Sequence, residues 1–312
     1  MMAMQITSIL RGGKTVKDAF SEYHPGVVLI YLGFLILFCM FCMQPVCLLI
    51  SVFCGFLYAL LLMGKSLLRM LGRFILPLAV LVFLLNPLLN TQGQTALFDL
   101  PWGTVVTAES VLFGLAAAGL MLSVMFWFLC YQAVMTSEKF LYLFGQRFPS
   151  VSLVLTVAMR FIPVFLSRFR TVRQVHQCLG IEVDRGKKNH RIKNAVRIFS
   201  TTVSWSLEHA LETADSMVGR GYGLEGRTSY AAYRFCLRDK ILLAVIVFGI
   251  GLLGVTGFLG HVFSFSYFPQ VGVIAQNLWA LVFYGVYFVF CLIPVIVRVK
   301  EAIRWKYYRC KI

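Results

Sequence analysis

"GVVLIYLGFLILFCMFCMQPVCLLISVFCGFLYALLLM", residues 26–63, contains no charged side chain. A hydrocarbon core of about 30 Å takes roughly 17 to 25 apolar residues in a helix. The stretch is therefore too long for one span and long enough for two. Gln44-Pro45 supplies the break between them, because proline has no amide hydrogen to give to a continuing helix. Two spans at 26–43 and 46–63, joined by a tight hairpin, are the resulting expectation. Continued along the chain, the same criterion finds spans at 74–90, 105–133, 241–260 and 272–297. With 59% hydrophobic and 13% charged residues and a mean hydropathy of +0.81, the chain lies outside the soluble range. The fold class is all-α: a polytopic membrane protein of about six transmembrane helices.

The 29 Lys and Arg against 13 Asp and Glu leave a formal charge of +16. Such an excess in a soluble chain would suggest nucleic acid, but here the basic residues are sorted by the membrane. The loops at 91–104 and 261–271 contain no Lys or Arg. The basic residues occupy the N-terminal arm, a 64–73 loop, the stretch after the fourth span and the C-terminal tail. That distribution predicts both termini on the cytoplasmic side of a cell membrane, a lipid bilayer as surroundings and no nucleic acid partner. Arg11, Lys14 and Lys17 precede an apolar run without a small-residue cleavage site, so the first 25 residues do not read as a secretory signal. Nine cysteines are scattered singly and imply no disulfide framework. Cys39 and Cys42 form a CxxC inside an apolar helix, where small residues packing on one face account for it.

About a hundred residues separate the fourth span from the fifth, too many for a plain loop. Val151, Leu155, Ala158, Ile162, Phe165, Phe169, Val172 and Leu179 recur three or four apart, predicting an amphipathic helix over 151–179 that Pro163 should kink or leave with an unpaired carbonyl. After the polar "GIEVDRGKKNHR", Ile192, Ala195, Phe199, Val203, Leu207, Ala210, Ala214 and Met217 repeat the pattern. Both segments carry charges throughout, which points to interfacial or mutually crossed helices. Gly180 and Gly219 or Gly221 stand where left-handed C-caps end helices. Arg220, beside the second end, also suits the negative pole of the helix dipole. The chain thus divides into 1–135, an arm and four spans; 136–240, the amphipathic region; and 241–312, two spans and a basic tail.

Known catalytic patterns find little purchase. "GKS" at 64–66 lacks the glycine and the preceding strand of a phosphate-binding loop, and the glycines at 219, 221, 223 and 226 follow no strand. His24, His176, His190, His209 and His261 are dispersed, which supports no metal site. The spans carry almost no ionisable groups; Glu109 sits near the outer end of the fourth, with Asn86, Gln132, Gln276 and Asn277 as further polar residues. A membrane-embedded enzyme with a cytoplasm-facing site, or an autonomous secondary transporter, would ordinarily need such groups. Neither a cofactor nor catalysis by this chain is expected.

Three stretches carry a family resemblance: "AFSEYHPGVVLIYLG" at 19–33, "AMRFIPVFLSRFRTVRQVHQCLGIE" at 158–182 and, most specifically, "ADSMVGRGYGLEGRTSY" at 214–230. In these the chain resembles the transmembrane T component of energy-coupling factor (ECF) importers, the CbiQ/EcfT family, over roughly residues 18–300. The resemblance implies long crossed coupling helices, two ECF-type ATPase subunits and a small substrate-binding membrane protein (S component) as partners, and uptake of a vitamin or a transition-metal ion. ATP hydrolysis would belong to the partner subunits.

In that family each coupling helix ends in an Ala-Arg-Gly-like motif that docks in a groove of one ATPase. Here the second motif falls on Gly219-Arg220-Gly221, with glycine for the alanine, and the first on Cys178-Leu179-Gly180, where Leu179 replaces the arginine. The first tip then docks either through apolar contact or with charge from Arg173 or Arg185. Arg227, Thr228 and Tyr230 match the family's following Arg-Thr-x-Tyr and are expected to anchor the return toward the membrane. An arginine between glycines suits the task, since its planar fork pairs with carboxylates while the glycines let backbone approach backbone.

Overall fold

A computed structural model of the chain describes residues 19–90, 93–99, 105–180, 188–222, 224, 233, 235–269, 271–272 and 277–309. After a 3₁₀ turn at Ala19–Glu22 come α1 (Pro25–Phe41), α2 (Pro45–Met63) and α3 (Lys65–Leu89). A short antiparallel pair, β1 (Ala96–Asp99) and β2 (Val105–Thr107), leads into α4 (Ala108–Val134). Then follow α5 (Ser137–Arg147), α6 (Pro149–Cys178), α7 (Lys188–Gly219), α8 (Leu237–Leu259) and α9 (Leu278–Arg309). Two compact units emerge: Met1–Lys139 together with Tyr233–Ile312, and Phe140–Ala232.

In the first unit α4 packs on α1, α2 and α3, while α9 packs on α2 and α8. Glycine permits close approaches here. A Cβ on Gly55 would stand 3.2 Å from Phe126 Cβ, and one on Gly114 would stand 3.0 Å from the Phe83 carbonyl oxygen. Small residues at helix contacts are the usual means of close packing where lipid supplies no hydrophobic drive between helices. Buried Tyr31, Tyr58, Trp127, Phe283 and Tyr287 fill the centre. Their polar atoms find partners: Tyr31 donates to the Phe290 carbonyl at 2.7 Å, and Trp127 Nε1 donates to Ser51 Oγ at 2.9 Å. Ser51 also meets Ser123 Oγ and Cys39 Sγ. Each such bond in a membrane contributes about 0.6 kcal/mol on average, so the cluster fixes the register of α1, α2 and α4 more than it holds them together. Outside, Phe41, Leu49, Leu89, Phe248 and Phe258 are exposed, a surface suited to lipid rather than water.

Among the described residues six helices are long and apolar enough to cross a membrane: Pro45–Met63, Lys65–Leu89, Ala108–Val134, Val151–Cys178, Leu237–Leu259 and Leu278–Trp305. They differ from the six spans read in the sequence at two places. The expected first span is a 17-residue helix, Pro25–Phe41, at the lower limit for crossing. Conversely, Val151–Cys178 qualifies, at a mean hydropathy of 1.6 against 2.1 to 2.6 for the others. Three of its four arginines, Arg168, Arg170 and Arg173, lie in the C-terminal half, and the first half carries only Arg160 among mostly apolar residues.

The expected 64–73 loop is also helical. Lys65–Met70 runs through a π-turn at Leu71–Ile75 into Leu76–Leu89, so Arg69 and Arg73 ride on the same helix as the span. The third span ends at Leu89, one residue short of the expected 90, with Pro87 inside the last turn. The strand pair ahead of α4 was not foreseen. It brings Thr95 to buried Glu109, whose Oε2 accepts from Thr95 Oγ1 at 2.7 Å. The one carboxylate of that span thereby serves the positive pole of its own helix.

Candidate functional site

The second unit is built on α6 and α7, which pack against each other. Pro163 is absorbed into α6 without a break in the helix. The facing line of α6 is Phe161, Phe165, Phe169, Val172 and His176, each only part-exposed. Two cross-helix contacts, bridged by a ring pair within α7, join the helices near their middle. Phe161 stacks on the His209 ring at 6.1 Å, His209 stacks on Trp205 at 5.1 Å, and the Arg168 guanidinium carbon lies 4.7 Å over the Trp205 ring. Cation–π pairing of this kind contributes about 0.5 to 2 kcal/mol. Sequence periodicity did not single out these four residues, although the i, i+4 spacing of Trp205 and His209 is a signal that such a search could use.

Along α7 the covered line is not the apolar one read in the sequence. Asn194, Ile198 and Thr202 are buried, whereas Ile192, Phe199 and Leu207 are 62%, 56% and 64% exposed. Val151, Val154, Leu155 and Ile162 on α6 are exposed as well. Periodicity identifies which residues share a face; it does not say whether the covering surface belongs to the same chain.

Both helices end in the same way. At the second end Gly221, at φ +74°, takes the left-handed position, and its amide donates to the Val218 carbonyl at 2.9 Å while the Tyr222 amide donates to Met217 at 3.0 Å. This pair of bonds is a Schellman motif, with Arg220 as the C-cap. At the first end Gly180, at φ +77°, donates to the Gln177 carbonyl at 3.0 Å, and Leu179 is the C-cap. The middle residue of each three-residue motif thus occupies one defined backbone position, with the left-handed glycine directly after it. Leu179 is 69% exposed and Arg220 is exposed too, its guanidinium making no ion pair or hydrogen bond among the described residues. Cys178 is exposed, and Gly219 has open space where a Cβ would stand. Arg173 lies part-exposed on α6 within two turns of the first tip. Arg185, Arg227, Thr228 and Tyr230 lie outside the described residues.

A guanidinium presented on a capped helix end and an apolar side chain presented on its twin can recognise a partner surface; neither arrangement performs bond chemistry. Sequence comparisons bear on what that surface belongs to. A family model described as "Cobalt transport protein", CbiQ, matches residues 17–230. The energy-coupling factor transporter transmembrane protein EcfT of Bacillus selenitireducens is 27% identical over 204 residues, which cover 60% of this chain and 74% of that protein. EcfT 1 of Listeria monocytogenes is 31% identical over 98 residues, 31% of this chain and 37% of that protein. EcfT of Lactobacillus helveticus is 29% identical over 116 residues, 37% of this chain and 42% of that protein. The stretches shared with the last two cover less than half of those proteins. The family match, by contrast, takes in both helix tips and the membrane helices before them, and extends over well more than half of the chain. The chain is therefore a polytopic, all-α membrane protein belonging to the CbiQ/EcfT family.

Proposed function

We propose that this protein is the energy-coupling transmembrane subunit of an ECF-type importer, with its termini and its two helix tips on the cytoplasmic side. Two ATPase subunits dock on the tips, one at Cys178-Leu179-Gly180 and one at Gly219-Arg220-Gly221. Their ATP-driven approach moves α6 and α7, and the contact of Arg168 with Trp205 passes the motion from one helix to the other. By helical rise, that contact lies roughly 16 Å from Leu179 and roughly 22 Å from Arg220, so a small displacement at a tip has a long arm. The exposed apolar rows of α6 and α7 provide a greasy face for a substrate-binding membrane protein carrying a vitamin or a transition-metal ion. ATP hydrolysis belongs to the partners.

The observation that carries this reading is the shared C-cap geometry of two packed helices whose ends present side chains outward. Ionisable groups buried in the membrane unit have structural duties: Glu109 with Thr95, Lys139 with Ser21 and the Val134 carbonyl, Asp239 with Cys236. This disfavours proton relay or general acid–base work at those positions. Affinity purification of the tagged protein from its native membrane tests the proposal. ATPase and substrate-binding subunits should accompany the wild type, and Arg220→Glu should stay in the membrane while losing an ATPase. Solitary purification of an active wild-type protein would end this reading.

A further inference from the structure

The stretch "AFSEYH" at 19–24 has no part in the docking tips, yet four consecutive residues of it are gripped by the two junctions of the α6–α7 unit. Upstream of that unit, buried Lys139 donates from Nζ to the Ser21 carbonyl, to Ser21 Oγ and to the Val134 carbonyl. Downstream, the Arg238 guanidinium carbon lies 4.4 Å over the Tyr23 ring, and its Nη2 donates to the Glu22 carbonyl at 3.5 Å. Asp239, also buried, uses both oxygens: Oδ1 accepts from the His24 amide at 3.3 Å, and Oδ2 accepts from the Cys236 amide at 3.0 Å at the start of α8. The His24 ring lies 4.1 Å from that of Phe235, and its Nδ1 accepts from the Gly26 amide. Burial lowers the His24 pKa, which favours the neutral ring that this acceptor role requires.

Phe20 anchors the strap to the membrane unit. It is fully buried, with its ring edge-on to Tyr31 at 5.5 Å and to Tyr58 at 6.4 Å. Lys139 and Asp239 are far apart in sequence but bond to residues only three positions apart in the strap. A buried lysine and a buried aspartate are costly unless bonded, and here the bonds go to one short segment.

We infer that Ser21–His24 is a clamp that anchors both junctions of the coupling unit to the membrane helices, with Lys139, Arg238 and Asp239 as positioning residues that let motion at the tips reach the spans. This rests on the proposed role as an energy-coupling subunit. Were the junctions free, ATPase movement would be spent in local flexing of the connections.

The test is hydrogen exchange on the complete purified complex, with and without a non-hydrolysable ATP analogue. In the wild type the nucleotide should change exchange both in residues 149–222 and at the junction-proximal ends of α1 and α8. In Lys139→Met the first response should persist while the second falls at least threefold, and Lys139→Arg should restore it. Arg238→Ala, at an exposed residue that leaves the core intact, should give a fall of about twofold. An undiminished response of the spans in both Lys139→Met and Arg238→Ala would overturn the clamp while leaving the docking proposal standing. No nucleotide response in residues 149–222 of the wild type would overturn both.

Discussion

The tips of α6 and α7 share a backbone and differ in charge. Gly180 and Gly221 hold nearly the same positive φ, 77° and 74°, and Leu179 and Arg220 each cap a helix immediately before them. Geometry of this kind is set by the glycine and by hydrogen bonds to the last turn, so the preceding side chain is free to vary. One tip therefore offers a fork of charged donors and the other an apolar knob, on supports that are interchangeable as far as the backbone is concerned. On the proposed coupling role, two ATPases docking on such ends would meet the same shape with different chemistry and be gripped asymmetrically.

The largest effect should come from reversing the charged tip. Arg220→Glu replaces a donor fork by a carboxylate facing whatever acceptor the groove provides. Loss of one partner of an interfacial charge pair costs about 2 kcal/mol or more, so the dissociation constant for ATPase should rise at least about thirtyfold. Binding to the purified ATPase, measured beside Leu179→Glu, checks this; equal losses at both tips would remove the asymmetry. Next in size is the backbone itself. An L-residue in the left-handed region costs roughly 1 to 2 kcal/mol, so Gly180→Ala and Gly221→Ala should each fray the last helical turn. Gly221→Ala should be the worse, because its Cβ would meet Leu224 Cδ1 at 3.0 Å whereas Gly180 has open space. Faster amide exchange at Tyr222 than at Leu179 in the respective variants is the expected sign.

Much of this architecture was legible because membrane and helix periods are strong signals. The uncharged 26–63 stretch is two helices split at Gln44-Pro45, and Gly180 and Gly221 hold the left-handed φ that their place at helix ends suggests. The misreadings have physical causes too. Arg69 and Arg73 look like loop residues because charge is rare in spans, yet a basic helix end reaching past the hydrocarbon satisfies its backbone as well as a loop would. Apolar spacing on α7 left open whether the row of Ile192, Phe199 and Leu207 lies at an interface or against the crossing helix; that row is exposed, and Asn194, Ile198 and Thr202 are buried instead. The strap contacts were beyond reach because they pair residues over a hundred positions apart. Nothing local marks Lys139 as buried; the nearest basic residue, Arg147, is eight positions on. Equally hidden was the pairing of Arg168 with Trp205, which depends on how two helices cross.

A sharper probe of the asymmetry is Leu179→Arg, which supplies the fork that the first tip lacks. The C-cap there already has the backbone of its twin, so the new guanidinium should be presented in the same manner and tighten ATPase binding by up to about tenfold, the effect of roughly 1.4 kcal/mol. Complete loss of binding at that tip would identify an apolar socket that rejects charge, and the two ATPase sites would then differ as much as the tips do.

The smallest effect isolates the glycine that precedes the arginine. Gly219 is the last residue of α7, its φ is not positive, and a Cβ added there would meet no atom outside its own helix within 4 Å. Alanine therefore fits without strain and restricts the unfolded chain, which should steady the final turn by roughly 0.5 to 1 kcal/mol. ATPase affinity should stay within about twofold of wild type if the partner groove has room for a methyl group. A gain in thermal stability accompanied by a tenfold loss of affinity would mean that the groove closes on Gly219 itself, so that close backbone approach, and not only the charge of Arg220, separates this tip from the one at Leu179.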